Sequence, residues 1–384
     1  MRILHTSDWH LGRSFHREPL LEAQRAFLEY LIDVAQRENV DVVTVAGDVY
    51  DRAIPPLEAI DLFQRTLAQL AGLKVPLVMI SGNHDSPRRL GVNSRLIEHA
   101  GIHLRTDPHD SARPAVLHDT HGDVAFYGLP YLEPALVRES LGAPATSHQA
   151  VLGTAMDRIR EDLATRPGTR AVVLAHAFVT GAEPTPNSER DITVGGVANV
   201  PAALFHGMDY VALGHLHRSQ SINDRIRYSG SPLPYSFSEA GHPKSMWLVD
   251  LDGDGSVTAR TVACPEPYRL DRLEGELDEL LTQDQYADLE QAWLHVTLTD
   301  TSRPHMAMER LRQRFPHVLK LTHATTGASA DDLPSRERME SLTDHEIALE
   351  FLRHVTHAEA TEPERDLLHR GIEHVRVTAR GEAL

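Results

Sequence analysis

Five apolar, β-branched segments in this chain each run directly into residues able to bind cations. Residues 2–6 lead into Asp8-Trp9-His10, 41–46 into Gly47-Asp48, and 76–81 into Gly82-Asn83-His84-Asp85. Residues 170–175 lead into His176, and 209–213 into Gly214-His215-Leu216-His217. Apolar runs of this length read as buried strands. In sheets built from βα units, the loops leaving the carboxyl ends of strands share one edge, and ligands collect there. The expectation is an α/β fold that gathers Asp8, His10, Asp48, Asn83, His176, His215 and His217 at one edge.

The sequence between the runs agrees. Residues 19–36 show helical spacing at Leu20, Leu21, Phe27, Leu28, Leu31 and Ile32, and 57–71 and 149–165 read as further helices. Strands alternating with helices argue for largely parallel pairing. Residues 226–262 read as consecutive strands joined by turns, so a second sheet packed on the first is expected. At Cys264-Pro265-Glu266-Pro267 the pattern changes, which sets a boundary. The expected organisation is a main domain over 1–264, a small α/β domain over 265–335 with a polar loop at 325–334, and a C-terminal helical segment over 336–384. Its two amphipathic helices fall near 343–357 and 363–375.

Bulk properties narrow the function. No run of eighteen apolar residues occurs, and no basic stretch followed by an apolar core opens the chain, so neither a membrane span nor a signal peptide is expected. The single cysteine, Cys264, excludes an internal disulfide framework and fits a cytoplasmic protein. A net charge of −17 argues against a chain that grips duplex DNA unaided, because phosphate neutralisation supplies most non-specific affinity. Either the substrate is small, or metals and a second subunit supply positive charge. No Gly-x-x-x-x-Gly-Lys-Ser/Thr loop is present, so any ATP dependence resides on another polypeptide. Asp250-Leu-Asp252-Gly-Asp254-Gly255 imitates half of a calcium loop, but its twelfth position is Thr261, and a hairpin turn is the better reading. Trp9 either packs beneath the first loop or stacks on a base; packing is favoured.

The donor set points to phosphoester chemistry. Two divalent ions about 3.5–4 Å apart neutralise phosphoryl oxygens and generate a nucleophile at neutral pH. Asp48, with both carboxylate oxygens free, is the natural bridge. Asp8 and His10 can serve one ion jointly, Asn83 adds a neutral oxygen, and His215 and His217 alternate so that each can face a different ion. Imidazole-rich sites suit manganese, iron or zinc better than magnesium. His84, if hydrogen-bonded to the Asp51 carboxylate, can act as general acid.

The ordered set resembles the calcineurin-like metallophosphoesterase superfamily. That resemblance implies a two-sheet sandwich flanked by helices, followed here by a small α/β capping domain and C-terminal helices. It implies Asp8, His10, Asp48 and His217 on one ion, Asp48, Asn83, His176 and His215 on the other, and His84 as general acid. Ala175 stands where many members have glycine, which should alter backbone freedom more than ligation. Longer stretches are similar to SbcD-type nuclease subunits: 6–12, Ser188-Glu189-Arg190, Val194-Gly195-Gly196, 209–217 and Tyr228-Ser229-Gly230-Ser231-Pro232. This implies 3′→5′ exonuclease action on duplex ends and endonuclease action on single strands or hairpins, with two Mn²⁺ ions and an SbcC-type coiled-coil ATPase as partner. It also implies a homodimer through segments near 57–71 and 88–99, with Val92, Leu96 and Ile97 as an apolar stripe, and association with the nucleoid when on DNA. Gly47–Arg52 also satisfies the Gly-Asp-x-x-Asp-Arg pattern of protein phosphatases. A phosphomonoesterase or cyclic-nucleotide phosphodiesterase is therefore the alternative, and a non-catalytic scaffold the third.

Overall fold

A computed structural model describes residues 1–186, 188, 189, 199–324, 343–356 and 358–381. The expected motif residues Arg190 and Val194–Gly196, and the loop at 325–334, lie outside the described residues. Two compact units emerge, Met1–Asp271 and Arg272–Leu384.

In the first unit two six-stranded sheets face each other. Sheet one runs β12-β11-β1-β2-β3-β4, where β1 is Arg2–Thr6, β2 Val42–Ala46, β3 Leu77–Ile80, β4 Ile102–Arg105, β11 Ser245–Leu251 and β12 Val257–Ala263. Sheet two runs β9-β10-β8-β7-β6-β5, where β5 is Ala115–Asp119, β6 Gly122–Leu129, β7 Arg170–His176, β8 Tyr210–Gly214, β9 Gln220–Ser221 and β10 Ile226–Tyr228. β1 to β4 pair in parallel, as do β6, β7, β8 and β10. The second sheet is therefore built from residues 115–228, not from a run over 226–262. The hairpin of β11 and β12 returns to sheet one and pairs antiparallel with β1. Its turn holds the Asp250–Gly255 stretch, with Gly255 at φ +80°.

The strands are apolar on both faces because both faces are covered. On β3, Val78 and Ile80 point into the space between the sheets, while Leu77 and Met79 point outward. The period of two in strand side chains enforces that split. Between the sheets Ile3, Val42 and Val78 meet Phe126, Val172, Leu174 and Ala212. Outside sheet one pack α1 (Leu21–Arg37) and α2 (Leu57–Leu73); outside sheet two packs α3 (His148–Ala164). All three helices fall within two residues of their expected bounds. Buried polar contacts also cross between the sheets, among them His5 on β1, which lies 2.8 Å from the Tyr210 hydroxyl and 3.1 Å from the Leu213 carbonyl, both on β8.

The second unit carries a three-stranded sheet of Leu270–Gly275, Trp293–Leu298 and Val318–His323 with helices Leu277–Thr282 and Ala307–Arg314. Two closing helices, Asp344–Thr356 and Glu362–Gly381, pack on each other and leave Phe351, Val355 and Leu367 more than half exposed. Among the described residues, no helix is long and apolar enough to cross a membrane.

Candidate metal centre

Parallel pairing sends the carboxyl ends of β1, β2 and β3 to one edge of sheet one, and those of β7 and β8 to the matching edge of sheet two. The backbone then makes sharp departures. Asp8, His10, Asp48 and His215 all take left-handed conformations, with φ of +53°, +47°, +49° and +104°. Non-glycine residues hold such φ values only when surrounding contacts force them, and these cluster at functional sites. Two glycines let the loops close. A Cβ on Gly214 would lie 2.0 Å from the Ala46 carbonyl oxygen, so only glycine lets sheet two approach sheet one there. A Cβ on Gly82 would lie 2.1 Å from Asp48 Oδ1.

The expected donors converge. The ligand atoms of Asp8, His10 and His217 lie within 4.8 Å of one another, as do those of Asp8, Asp48 and His176, and those of His10, Asp48 and His84. Asp48 sits between them: its Oδ2 lies 3.6 Å from both His10 Nε2 and His176 Nε2. On the other side Asn83 Oδ1 lies 2.9 Å from His176 Nε2 and 3.2 Å from His215 Nδ1. The seven residues thus gather at one place, where Asp8, His10 and Asp48 each belong to two of these overlapping triads.

The electrostatics fit divalent cations. Asp8 is fully buried, and that burial together with the nearby Asp48 carboxylate pushes its pKa well above the usual range. Two buried carboxylates side by side are costly without a cation between them. Burial lowers His10, His215 and His176, so these imidazoles stay neutral, the form that offers a lone pair. His176 donates its Nδ1–H to the Ala46 carbonyl at 2.9 Å, which leaves Nε2 with its lone pair turned toward Asn83 Oδ1 and Asp48. His10 Nε2 and His217 Nε2 converge at 3.1 Å, while His10 Nδ1 and Asn83 Nδ2 are buried with no hydrogen-bond partner among the described residues. An oxygen, imidazole and amide set of this kind suits divalent metal ions.

His84 sits at the rim, half-buried, with Nε2 4.0 Å from Asp48 Oδ2. Its Nδ1 lies 2.8 Å from the backbone carbonyl of Asp51, not from the carboxylate. A carbonyl only accepts, so Nδ1 carries the proton and Nε2 faces the centre. The Asp51 carboxylate instead takes the Arg13 guanidinium at 3.1 Å, and Arg13 also lies over the Tyr235 ring. Trp9 is fully buried, donates to Thr6 Oγ1 and packs edge-on against Phe27, so it is a core residue.

Several supporting residues were not singled out from the sequence. Asp85 accepts from the backbone N–H groups of Val49, Tyr50 and Gly82, tying the Asp48 loop to the Asn83 loop. Burial and the neighbouring Asp48 raise it to about 7. Ser7 and the His215 backbone N–H both donate to Asp8, and Ser7 meets the Ser229 hydroxyl at 2.7 Å. Asp85 and Ser229 stand inside quoted motifs, which was the only signal available.

Two family models match stretches of this chain. The SbcD C-terminal domain model, described as the type 5 capsule protein repressor C-terminal domain, matches residues 267–356. Among solved structures, TT1561 of Thermus thermophilus is 13% identical over 68% of this chain and 98% of its own, with a TM-score of 0.38. A dimetal phosphatase from Danio rerio is 13% identical over 69% of this chain and 97% of its own, with a TM-score of 0.40. The model of the calcineurin-like phosphoesterases, which bind divalent metals, matches residues 1–219. With more than half of its length so matched and a buried His/Asp cluster at the shared edge of its two sheets, the chain belongs to the calcineurin-like phosphoesterase family.

Proposed function

We propose that the chain is a metal-dependent DNA nuclease subunit that works with an SbcC-type ATPase in DNA end processing, repair and recombination. The observation that carries this reading is the SbcD C-terminal domain match at 267–356, following a unit that holds a buried His/Asp cluster. The centre alone supports hydrolysis of any phosphoester; the second match favours DNA as substrate. Asp8, His10, Asp48 and His217 hold one ion, and Asp48, Asn83, His176 and His215 the other. Mn²⁺ is the proposed metal, on the resemblance to SbcD-type nuclease subunits and on a donor set that mixes carboxylate and amide oxygens with imidazoles; iron or zinc is the alternative. The domain division is 1–264 for the nuclease, 265–335 for the small α/β domain and 336–384 for partner docking. Two chains pair through the exposed Leu57, Val92 and Leu96; Ile97 from the expected stripe is instead half-buried against the core of sheet one.

When bound, the two ions supply Lewis-acid charge to the phosphoryl oxygens and make water acidic enough to attack. The chain's own residues do the rest. Asp48 spans both donor groups. The Asp51 carbonyl orients His84 so that, once protonated, its Nε2–H faces the centre and can pass to the departing oxygen. Neutral, buried imidazoles and the Asn83 amide keep the site from accumulating negative charge against a phosphate.

The test is direct. Purified chain with Mn²⁺ is offered linear duplex DNA, circular plasmid, hairpin oligonucleotides and para-nitrophenyl phosphate. The nuclease reading expects shortening of linear duplex from its 3′ ends and nicking at hairpins. Rapid turnover of para-nitrophenyl phosphate with all DNA left intact would replace it with the phosphomonoesterase reading.

A further inference from the structure

Behind His217 lies a buried chain of polar groups that the hydrolytic chemistry itself does not use. The Ser188 hydroxyl lies 2.7 Å from His217 Nδ1 and within hydrogen-bond distance of Glu239 Oε1. Glu239 Oε2 is paired with the Lys244 ammonium. Lys244 also donates to the His217 carbonyl and to Ser231 Oγ, each at 2.9 Å. Glu239 is 1% exposed, Lys244 5% and Ser188 7%. Burying a lysine and a glutamate is costly even when paired, and a well-packed apolar pair of similar volume is often as stable. A role beyond stability is the natural place to look.

The donors and acceptors fix one arrangement. A carboxylate bound to an ammonium only accepts, so the Ser188 O–H must donate to Glu239. Ser188 Oγ then accepts from His217 Nδ1–H. That holds the His217 proton on Nδ1 and leaves the Nε2 lone pair directed at the point where Asp8 and His10 converge. The same residue is held by its backbone as well: its carbonyl by Lys244, and its amide by Glu189 Oε1 at 2.9 Å. The segment that supplies Glu239 reaches the first loop too, since the Tyr235 hydroxyl donates to the Trp9 carbonyl between Asp8 and His10.

The choice of lysine is itself informative. The chain has only three, Lys74, Lys244 and Lys320, among 38 basic residues. At 244 three acceptors surround one nitrogen, which matches the three N–H donors of an ammonium and not the planar fork of a guanidinium.

We propose that Ser188, Glu239 and Lys244 form a positioning relay that sets the tautomer and orientation of His217 toward a divalent cation. The relay thereby tunes the affinity of that one position. The inference rests on the metal-centre reading above. Partners of this kind, hydrogen-bonded to the far nitrogen of a metal-binding histidine, are worth about 10–100-fold in metal affinity.

The experiment is calorimetric titration of Mn²⁺ into the full chain, with phosphoesterase turnover measured against Mn²⁺ concentration. Ser188→Ala removes one oxygen and leaves the Glu239–Lys244 pair intact. It should weaken one of two binding events about 10–100-fold and raise the half-saturating Mn²⁺ to match. The maximal rate at saturating Mn²⁺ should stay within about twofold of the parent, since the relay acts on affinity. In a His217→Ala background, adding Ser188→Ala should leave the affinity of the remaining ion unchanged. Unchanged Mn²⁺ affinity in Ser188→Ala, in a parent that binds two ions, overturns the relay alone. An equal loss with and without His217 also overturns it, because the serine would then serve the fold at large. A parent chain that binds no Mn²⁺ overturns the metal-centre reading and the relay together. Glu239→Gln provides a second reading of the same link through the charge that orients Ser188.

Discussion

At the residue scale, Asp48 and His84 separate binding from proton transfer. Asp48 lies 3.6 Å from both His10 and His176, which the proposal assigns to different ions. Removing its carboxylate takes a donor from both at once. Asp48→Ala is therefore expected to lose both ions, and Asn83→Ala to weaken one more than the other. Metal analysis that found two tightly held ions in Asp48→Ala protein would refute the assignment. His84 approaches Asp48 Oδ2 only to 4.0 Å and is anchored by a backbone carbonyl. His84→Ala should keep its metals and lose about 10²–10⁴ in turnover on DNA, the range for general acid–base catalysis. An ester whose leaving group needs no proton should suffer less; equal losses on both substrates would make His84 a phosphate-positioning group. Because the Asp51 carboxylate is turned to Arg13, Asp51→Asn should have a smaller effect than His84→Ala on the same assay.

At the element scale, what could be read from sequence was local, and what could not was pairing. The five strands before the donor runs were legible because both their faces are buried, giving unbroken apolar stretches such as Val42–Ala46 and Leu77–Ile80. The β11–β12 hairpin was legible as strands but not as part of sheet one. Its choice of β1 as neighbour depends on contacts between distant parts of the chain, such as Arg2 with Asp250, 248 residues apart. The left-handed turns at Asp8 and Asp48 and the Glu239–Lys244 pair behind His217 leave no local mark either. The two sheets also carry a pH signature. Burial pushes His5 down to about 3, against 6.5 in an unfolded chain. Between those values the unfolded chain binds the extra proton, so stability falls as pH drops through that window, by up to about 1.4 kcal/mol per unit from this residue. In metal-free protein, His5→Gln should flatten the loss of unfolding free energy as pH falls from about 6 toward 4, inside that window. An unchanged slope in denaturant titrations would show that other buried histidines account for all of it. The exposed Leu57, Val92 and Leu96 belong to the same scale. Leu96→Asp should shift light scattering toward monomer without lowering the melting temperature, and a parent that is already monomeric at high micromolar concentration would remove the dimer proposal.

At the scale of the whole molecule, charge sets the division of labour. A chain at −17 has little to offer a polyanion beyond its metal centre, so its own hold on duplex DNA should be weak and steeply lost with salt. On the proposed reading the ATPase partner supplies most duplex affinity. The closing helices are the candidate contact, because their pairing leaves Phe351, Val355 and Leu367 exposed along an otherwise charged surface. A helix-in-groove contact uses apolar anchors about one helical turn apart, the spacing of Phe351 and Val355 on the first of these helices. Removing the chain after about Asp344 should leave Mn²⁺-dependent cleavage of single strands intact, since every proposed ligand lies in the Met1–Asp271 unit. The same truncation should abolish ATP-stimulated action on duplex ends. Co-purification with the partner decides between binding and folding effects: a truncated chain that cuts single strands normally but no longer co-purifies places the docking surface on these helices. Full complex formation by the truncated chain would place it elsewhere and leave Phe351, Val355 and Leu367 as ordinary surface residues.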